Sequence, residues 1–434
     1  MKHLVGLLLL GLSLGAHAQG LTAEDRAKTV DSLIATLDWG YVYPEVAKAM
    51  GEAIRKQAAE GGYDRVTDGR DFAELLTQDL QAVSHDGHLR VRFDPAQVAE
   101  LNQSQLTPEE EEAFMQRQLA ASRRNNFGMR ELKMLPGNVG YFKFNGFSGW
   151  TEGQDRMQAA MQWLGDASAI IFDLRENGGG SPEMVQVITT YLFDEVQHLN
   201  SFYWRPTDEY QHFYTLPTVP GKRLADVPVY VLTSNYTFSA AEEFTYNLKS
   251  MERATIVGET TGGGAHPGGM LPVTDKFLMF LPQGRAINPI TKTNWEGTGI
   301  EPHIAVPAPE ALTAAHLDAL QTLSKQAEEG SPEQHQLDWV IAELSAQQHP
   351  VTVSERLLKQ YVGTYGPRSL TLVDGRLHYA RDGRQPRPMT ALSEDTFMVE
   401  GVDGFHLKII KEGNKVVAVE GQYLAGHTDR NERN

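Results

Sequence analysis

Between Gly137 and about Pro309 the chain alternates short, unbroken apolar runs, "VGYFKF", "SAIIFDL", "VPVYVLT" and "ATIVG", with stretches of helical spacing over 152–164, 181–192 and 239–251. A run that is apolar at every position, rather than at every second one, reads as a strand buried on both faces. Alternated with helices, such strands predict an α/β layer with a partly parallel sheet. Ligand sites in sheets of this kind lie beyond the carboxyl ends of the strands. Two unusual stretches, "RENGGGSP" and "SNYTFSAAEEF", follow strands in that way.

The segments on either side have a different texture. At the start, "MKHLVGLLLLGLSLGAHAQG" places one lysine before an apolar run and ends it in Ala16-His17-Ala18, the pattern of a secretory leader over 1–18 and of an exported, periplasmic or secreted product. From 19 to 94, Val30, Leu33, Ile34 and Leu37, then Phe72, Leu75, Leu76 and Leu80, recur at helical spacing and predict a helical domain of three helices. It ends in "HLRVRF", which alternates like a strand. Residues 95–136 read as a connecting segment. There Thr107-Pro108 followed by Glu109–Glu112 marks a helix start with carboxylates in its first turn and a solvated face. After the core domain at 137–309, residues 310–350 read as a polar helical linker. Residues 351–434, punctuated by Asp374-Gly375, Asp382-Gly383 and Glu412-Gly413-Asn414, read as a small antiparallel β domain whose last residues, "HTDRNERN", fray.

Composition closes off several functions. The 434 residues include no cysteine, which removes disulfides, thiol catalysis and cysteine-ligated metal. A formal charge of −17 disfavours nucleic acid and anionic membrane as partners, and no membrane span is expected once the leader is removed.

Chemistry is concentrated in five stretches. "DLRENGGGSP" runs from a buried strand through three glycines into a helix near Pro182; such a loop can aim backbone N–H groups at a closely approached ligand, as acyl transfer requires, or can simply be a flexible turn. In "YTFSAAEEF" the order strand, turn, serine, helix sets Ser239 at a helix N-terminus, where the dipole favours a negative oxygen and the Ala240 N–H can face it. Ser239-Ala-Ala-Glu242 equally fits a capping box, and G-x-S-x-G is absent. A serine nucleophile needs a base, and "SHDGHLRV" offers His85 and His88; the glycine between them argues against a helical metal-ligand face, so no metal is expected. The remaining stretches, "GETTGGGAHPGG" and "NWEGTGIEPHI", are glycine-rich loops.

Taken in order, "DGHLRV", "DLRENGGGSP", "TSNYTFSAAEEF", "VGETTGGGAHPGG" and "WEGTGIEPHI" resemble the C-terminal processing (tail-specific) family of serine peptidases, in its branch with the tricorn core protease and the interphotoreceptor retinoid-binding protein repeats. The likeness covers about residues 22–306. It implies a ClpP/crotonase-like α/β peptidase core behind an N-terminal helical bundle, and a peptide or protein substrate cleaved without a cofactor. It also implies Ser239 as nucleophile, an oxyanion hole from Gly178 or Gly179 with Ala240, His88 as base with His85 as alternate, and Glu296 as the residue that orients the imidazole. The lysine of the tail-specific members has no counterpart near Gly264, and 95–136 is too short for their PDZ domain. A hydrophobic-ligand carrier on the same fold and a non-peptide esterase are the alternatives.

Overall fold

The computed structural model describes residues 20–102, 107–349 and 351–434; the predicted leader, 1–18, lies outside them. Residues up to Thr107 form one compact unit with Tyr203–Glu209 and His266–Arg285, and the rest of the chain forms a second.

In the first unit, helices Ala23–Gly40, Pro44–Ala59 and Gly69–Ser84 stand where the apolar spacing predicts them. Each start has a local cause. Thr22 and Asp25 form a reciprocal capping box, Pro44 occupies a first-turn position, and Asp68 accepts the Arg70 and Asp71 amides. Leu33, Leu37, Met50, Phe72 and Leu80 bury one face of these helices against Phe277, Met279 and Leu281. The latter lie on strand Phe277–Pro282, which pairs antiparallel with both Arg90–Phe93 and Gly268–Pro272. A core continuous over 137–309 was the expectation; instead, strands near residue 275 leave it to complete the N-terminal unit. Apolar patterning identifies a strand but not the sheet it joins.

The second unit is built on a six-stranded sheet in the order Ile304–Ala305, Thr255–Gly258, Val229–Thr233, Ala169–Asp173, Val139–Phe144, Met129–Leu135, parallel throughout except for its last pairing. Along one strand, Ile170 and Phe172 face a core shared with helices Thr151–Trp163, Pro182–Thr190 and Ala240–Ser250, while Ala169 and Ile171 face Ala311, Ala315, Ala319 and Leu320. This two-sided burial explains the unbroken apolar runs. It also corrects the linker expected at 310–350: helices Ala311–Gln326 and Pro332–Gln348 cover the sheet's second face, through alanines that a search for large apolar side chains passes over. Helix Pro108–Arg124 buries no residue, so the Glu109–Glu112 run is the solvated turn expected.

The C-terminal sheet has eight consecutive antiparallel strands from Gly363–Tyr365 to Thr428–Glu432. Its first and last strands meet through a Tyr365–Arg433 bridge, which nearly closes a barrel around Leu370, Phe397, Leu407 and Val419. The tail expected to fray is therefore the closing strand, and Asn434 donates to the Thr364 carbonyl at 3.0 Å. Closure removes two exposed sheet edges. Among the described residues no helix is long and apolar enough to cross a membrane.

Candidate active site

Ser239 follows strand Val229–Thr233 and begins helix Ala240–Ser250 with φ 57° and ψ −123°. An ordinary N-cap residue sits in the β region. A side chain in the conformation found here costs about 1–3 kcal/mol and persists only where its surroundings over-determine it.

Those surroundings are specific. The Glu242 carboxylate accepts the Ser239 N–H at 2.9 Å, the Gly263 and Gly264 amides at 2.7 and 2.8 Å, and the Thr261 hydroxyl at 2.5 Å. Glu242 is fully buried, and burial raises its pKa above the usual carboxylate range. What the sequence offers as one arm of a capping box is thus the tie between the serine turn and the loop Thr261–Gly264.

The opposite wall is the loop after Ala169–Asp173. Asn177, wholly buried, donates to the Phe144 carbonyl at 3.0 Å, accepts the Gly179 N–H at 2.9 Å, and receives the Phe238 N–H on its own carbonyl at 3.1 Å. Gly179 has φ 104°, and a Cβ there would stand 2.7 Å from the Ser239 Cβ and 2.9 Å from the Ala240 nitrogen. The glycine is what lets the two turns touch. Its amide is already given to Asn177, whereas the Gly178 N–H and, across the contact, the Ala240 N–H have no acceptor among the described residues. The latter is one of the orphan donors of a helix start.

Glu296 belongs to the same unit and is reached through the same loop. Trp295, 2% exposed, donates to the Gly264 carbonyl at 2.8 Å, Gly297 N–H donates to the Gly263 carbonyl at 3.0 Å, and the Ala265 amide donates to Glu296 Oε2 at 2.5 Å. A chain of hydrogen bonds therefore runs from Ser239 through Glu242 and the glycine loop to Glu296.

The predicted bases lie in the first unit. His85 is exposed and ends helix Gly69–Ser84 in a left-handed conformation, φ 55° and ψ 20°. His88 is half-buried, stacks on Phe280 at 5.5 Å, and donates its backbone N–H to Asp86 Oδ1 at 3.0 Å. Burial lowers its imidazole to about 4, leaving it neutral at neutral pH. Asp86 itself is wholly buried and lies 2.7 Å from His266 Nδ1 and 3.2 Å from the Tyr41 hydroxyl. Sequence reasoning missed this Asp86–His266 pair and the part played by Asn177. The only signals were a histidine inside "GGGAHPGG" and an asparagine two residues before a glycine, a position that favours side-chain capture of a backbone amide.

A parallel α/β core that holds a strained serine at a helix N-terminus, pressed against a glycine loop, has the build of an acyl-transfer site. Comparison with known proteins gives that class a family. Residues 138–306 match peptidase family S41, and residues 22–122 match the N-terminal domain of peptidase S41 in eukaryotic IRBP; the chain belongs to peptidase family S41. It is 27% identical over 195 residues to the carboxy-terminal processing protease CtpB of Bacillus subtilis (strain 168), a match over 44% of this chain and 39% of that one. The chain thus spans about two fifths of that curated relative's length. Among solved structures it is similar to a putative peptidase from Parabacteroides merdae ATCC 43184, with 19% identity, 65% of this chain and 90% of the other covered, and a TM-score of 0.45. It is also similar to the photosystem II D1 C-terminal processing protease, with 14% identity, coverage of 66% and 94%, and a TM-score of 0.42.

Proposed function

We propose that the protein is an exported serine peptidase in which Ser239 is the nucleophile, His88 the general base and Glu296 the residue that orients the imidazole. The observation that carries this reading is the Ser239 backbone: a serine held at φ 57° and ψ −123° by Glu242 and Gly179 serves no capping purpose that a relaxed serine would not serve better. Family membership supports a peptide bond as the substrate.

Ser239 Oγ attacks the scissile carbonyl carbon as its proton passes to the neutral His88 imidazole. The carbonyl oxygen gains charge beside the Gly178–Gly179 turn and Ala240; Gly178 and Ala240 supply the N–H groups, and Gly179 supplies the close approach. Collapse breaks the C–N bond, the leaving amine takes the proton from His88, and water then releases the acyl group by the same steps. Neither metal nor organic cofactor enters the scheme.

A fluorophosphonate probe tests it. Wild-type protein labels covalently and cleaves an unstructured protein substrate, and Ser239→Ala does neither. Absence of labelling in folded wild-type protein would favour the hydrophobic-ligand carrier. Ester cleavage without peptide cleavage would favour the esterase.

A further inference from the structure

In the second unit, two histidines aim at one oxygen. His198 Nε2 lies 2.9 Å and His212 Nδ1 2.8 Å from Ser201 Oγ. The imidazole planes are nearly perpendicular, at 81°, with centroids 5.6 Å apart. Each ring is backed by a tyrosine, His198 by Tyr214 at 4.5 Å and His212 by Tyr210 at 6.4 Å. The segments carrying them are joined just outside the cluster, where the Thr215 N–H donates to the Gln197 carbonyl at 2.9 Å and the Gln197 N–H to Thr215 Oγ1 at 2.8 Å. The serine is buried and His212 is exposed, so the cluster is open to solvent on the histidine side.

We propose that His198 Nε2 and His212 Nδ1, with Ser201 Oγ between them, form a binding site for one late first-row divalent ion, of the Cu2+, Ni2+ or Zn2+ class. Two ring nitrogens within hydrogen-bonding reach of a common point are close to the arrangement that chelation needs. Metal–nitrogen bonds are about 2.0–2.1 Å, so each ring has to close by less than about 1 Å once the hydroxyl rotates aside. The stacked tyrosines hold the rings at their angle, which lowers the ordering cost of binding.

The donor set decides the ion. Two imidazoles and a hydroxyl suit the borderline metals, and with no carboxylate in the cluster the site lacks what calcium or magnesium requires. Among the borderline ions the order of affinity places Cu2+ first. Water fills the other positions. The site makes no use of Ser239 and stands whether or not the peptidase reading does.

Titration of the full chain with Cu2+, followed by calorimetry and electron paramagnetic resonance, tests the proposal. The expected result is one equivalent bound with nitrogen coordination, at least tenfold weaker in His212→Ala and absent in the His198→Ala/His212→Ala double variant, with circular dichroism unchanged. Ser201→Ala keeps the ion, because the hydroxyl is the weakest donor. The chain has 14 histidines, so background binding is expected and the difference between variants is the readout. An equivalent retained in full by the double variant overturns the site, as does wild-type protein that binds no Cu2+ below millimolar concentration.

Discussion

The serine turn and the C-terminal barrel both put non-glycine residues at positive φ, and the two uses differ. In the barrel, Asp374 (φ 49°) precedes Gly375 (φ 77°) and Asp382 (φ 52°) precedes Gly383 (φ 71°), each between paired antiparallel strands. Positive φ at both central residues is what the two-residue hairpin at Asp374-Gly375 asks for, and the tight turn that Arg384 N–H closes on the Arg381 carbonyl at 3.0 Å within the longer 382–386 connection uses the same conformation, which aspartate tolerates. At Ser239 no hairpin demands it, and ψ −123° lies outside the left-handed helical well. Glu242 with its four donors and Gly179 with its missing side chain hold it there. Positive φ where the residue type suits it is architecture; where neighbours must impose it, it points to a task.

Removing the hydroxyl is the strongest attempt to break that contrast. Ser239→Ala should lower kcat by at least about a thousandfold while leaving the folded state intact. Ser239→Gly should be just as inactive yet more stable by about 1 kcal/mol, because glycine occupies this backbone without strain. Chemical denaturation of the two variants checks both halves. A Ser239→Gly protein less stable than wild type would mean that the turn is not strained.

Gly179→Ala attacks the same turn from the facing wall. A methyl group 2.7 Å from the Ser239 Cβ must push the serine out of line, so kcat should fall by about 10²–10³-fold. The proposed base adds a pH signature. With His88 lowered to about 4 by burial, kcat/KM should keep most of its value at pH 5, where a base of ordinary pKa 6.5 would retain about thirtyfold less. A rate profile between pH 4 and 8 separates the two.

The two regions also differ in how legible they were. The barrel's hairpins are written in local chemistry, Asp-Gly between alternating strands, and only the closing strand was lost, because "HTDRNERN" carries no apolar alternation and gains its order from pairing. The parallel core was legible from runs such as "SAIIFDL". The serine turn was legible only as a position: a serine after a strand and before a helix. What distinguishes it from a cap is held by partners far along the chain, Thr261, Gly263 and Gly264 for Glu242, and Phe144 for Asn177. No local window contains those pairs. The Asp86–His266 contact spans 180 residues and was invisible for the same reason.

Charge sharpens the comparison further. Beside the well-satisfied Glu242 stands Glu243, also buried, which among the described residues accepts only a long hydrogen bond from Asn200 Nδ2, at 3.4 Å; burial pushes its pKa up to about 8. A folded pKa above the usual 4.5 means that the native state binds the proton more tightly, so stability falls as pH rises from about 4.5 to about 8. Glu243→Gln should abolish that loss, and the variant should be the more stable protein at pH 8 and above. Urea unfolding of both proteins at pH 5 and pH 8.5 measures it, and identical pH slopes would refute the assignment.

The smallest effect belongs to the barrel. Nothing lies within 4 Å of a Cβ built on Gly375, so Gly375→Ala introduces no clash and changes only the backbone preference at φ 77°. A non-glycine residue in the left-handed region costs about 1–2 kcal/mol, and that alone should be lost, with peptidase activity untouched. The same logic applied to Ser239→Gly carries the opposite sign, so the pair measures how one backbone departure is shared between hairpin architecture and the proposed nucleophile. If Gly375→Ala proved neutral, the hairpin would have relaxed into another turn type, and the barrel would be less rigid than its register implies.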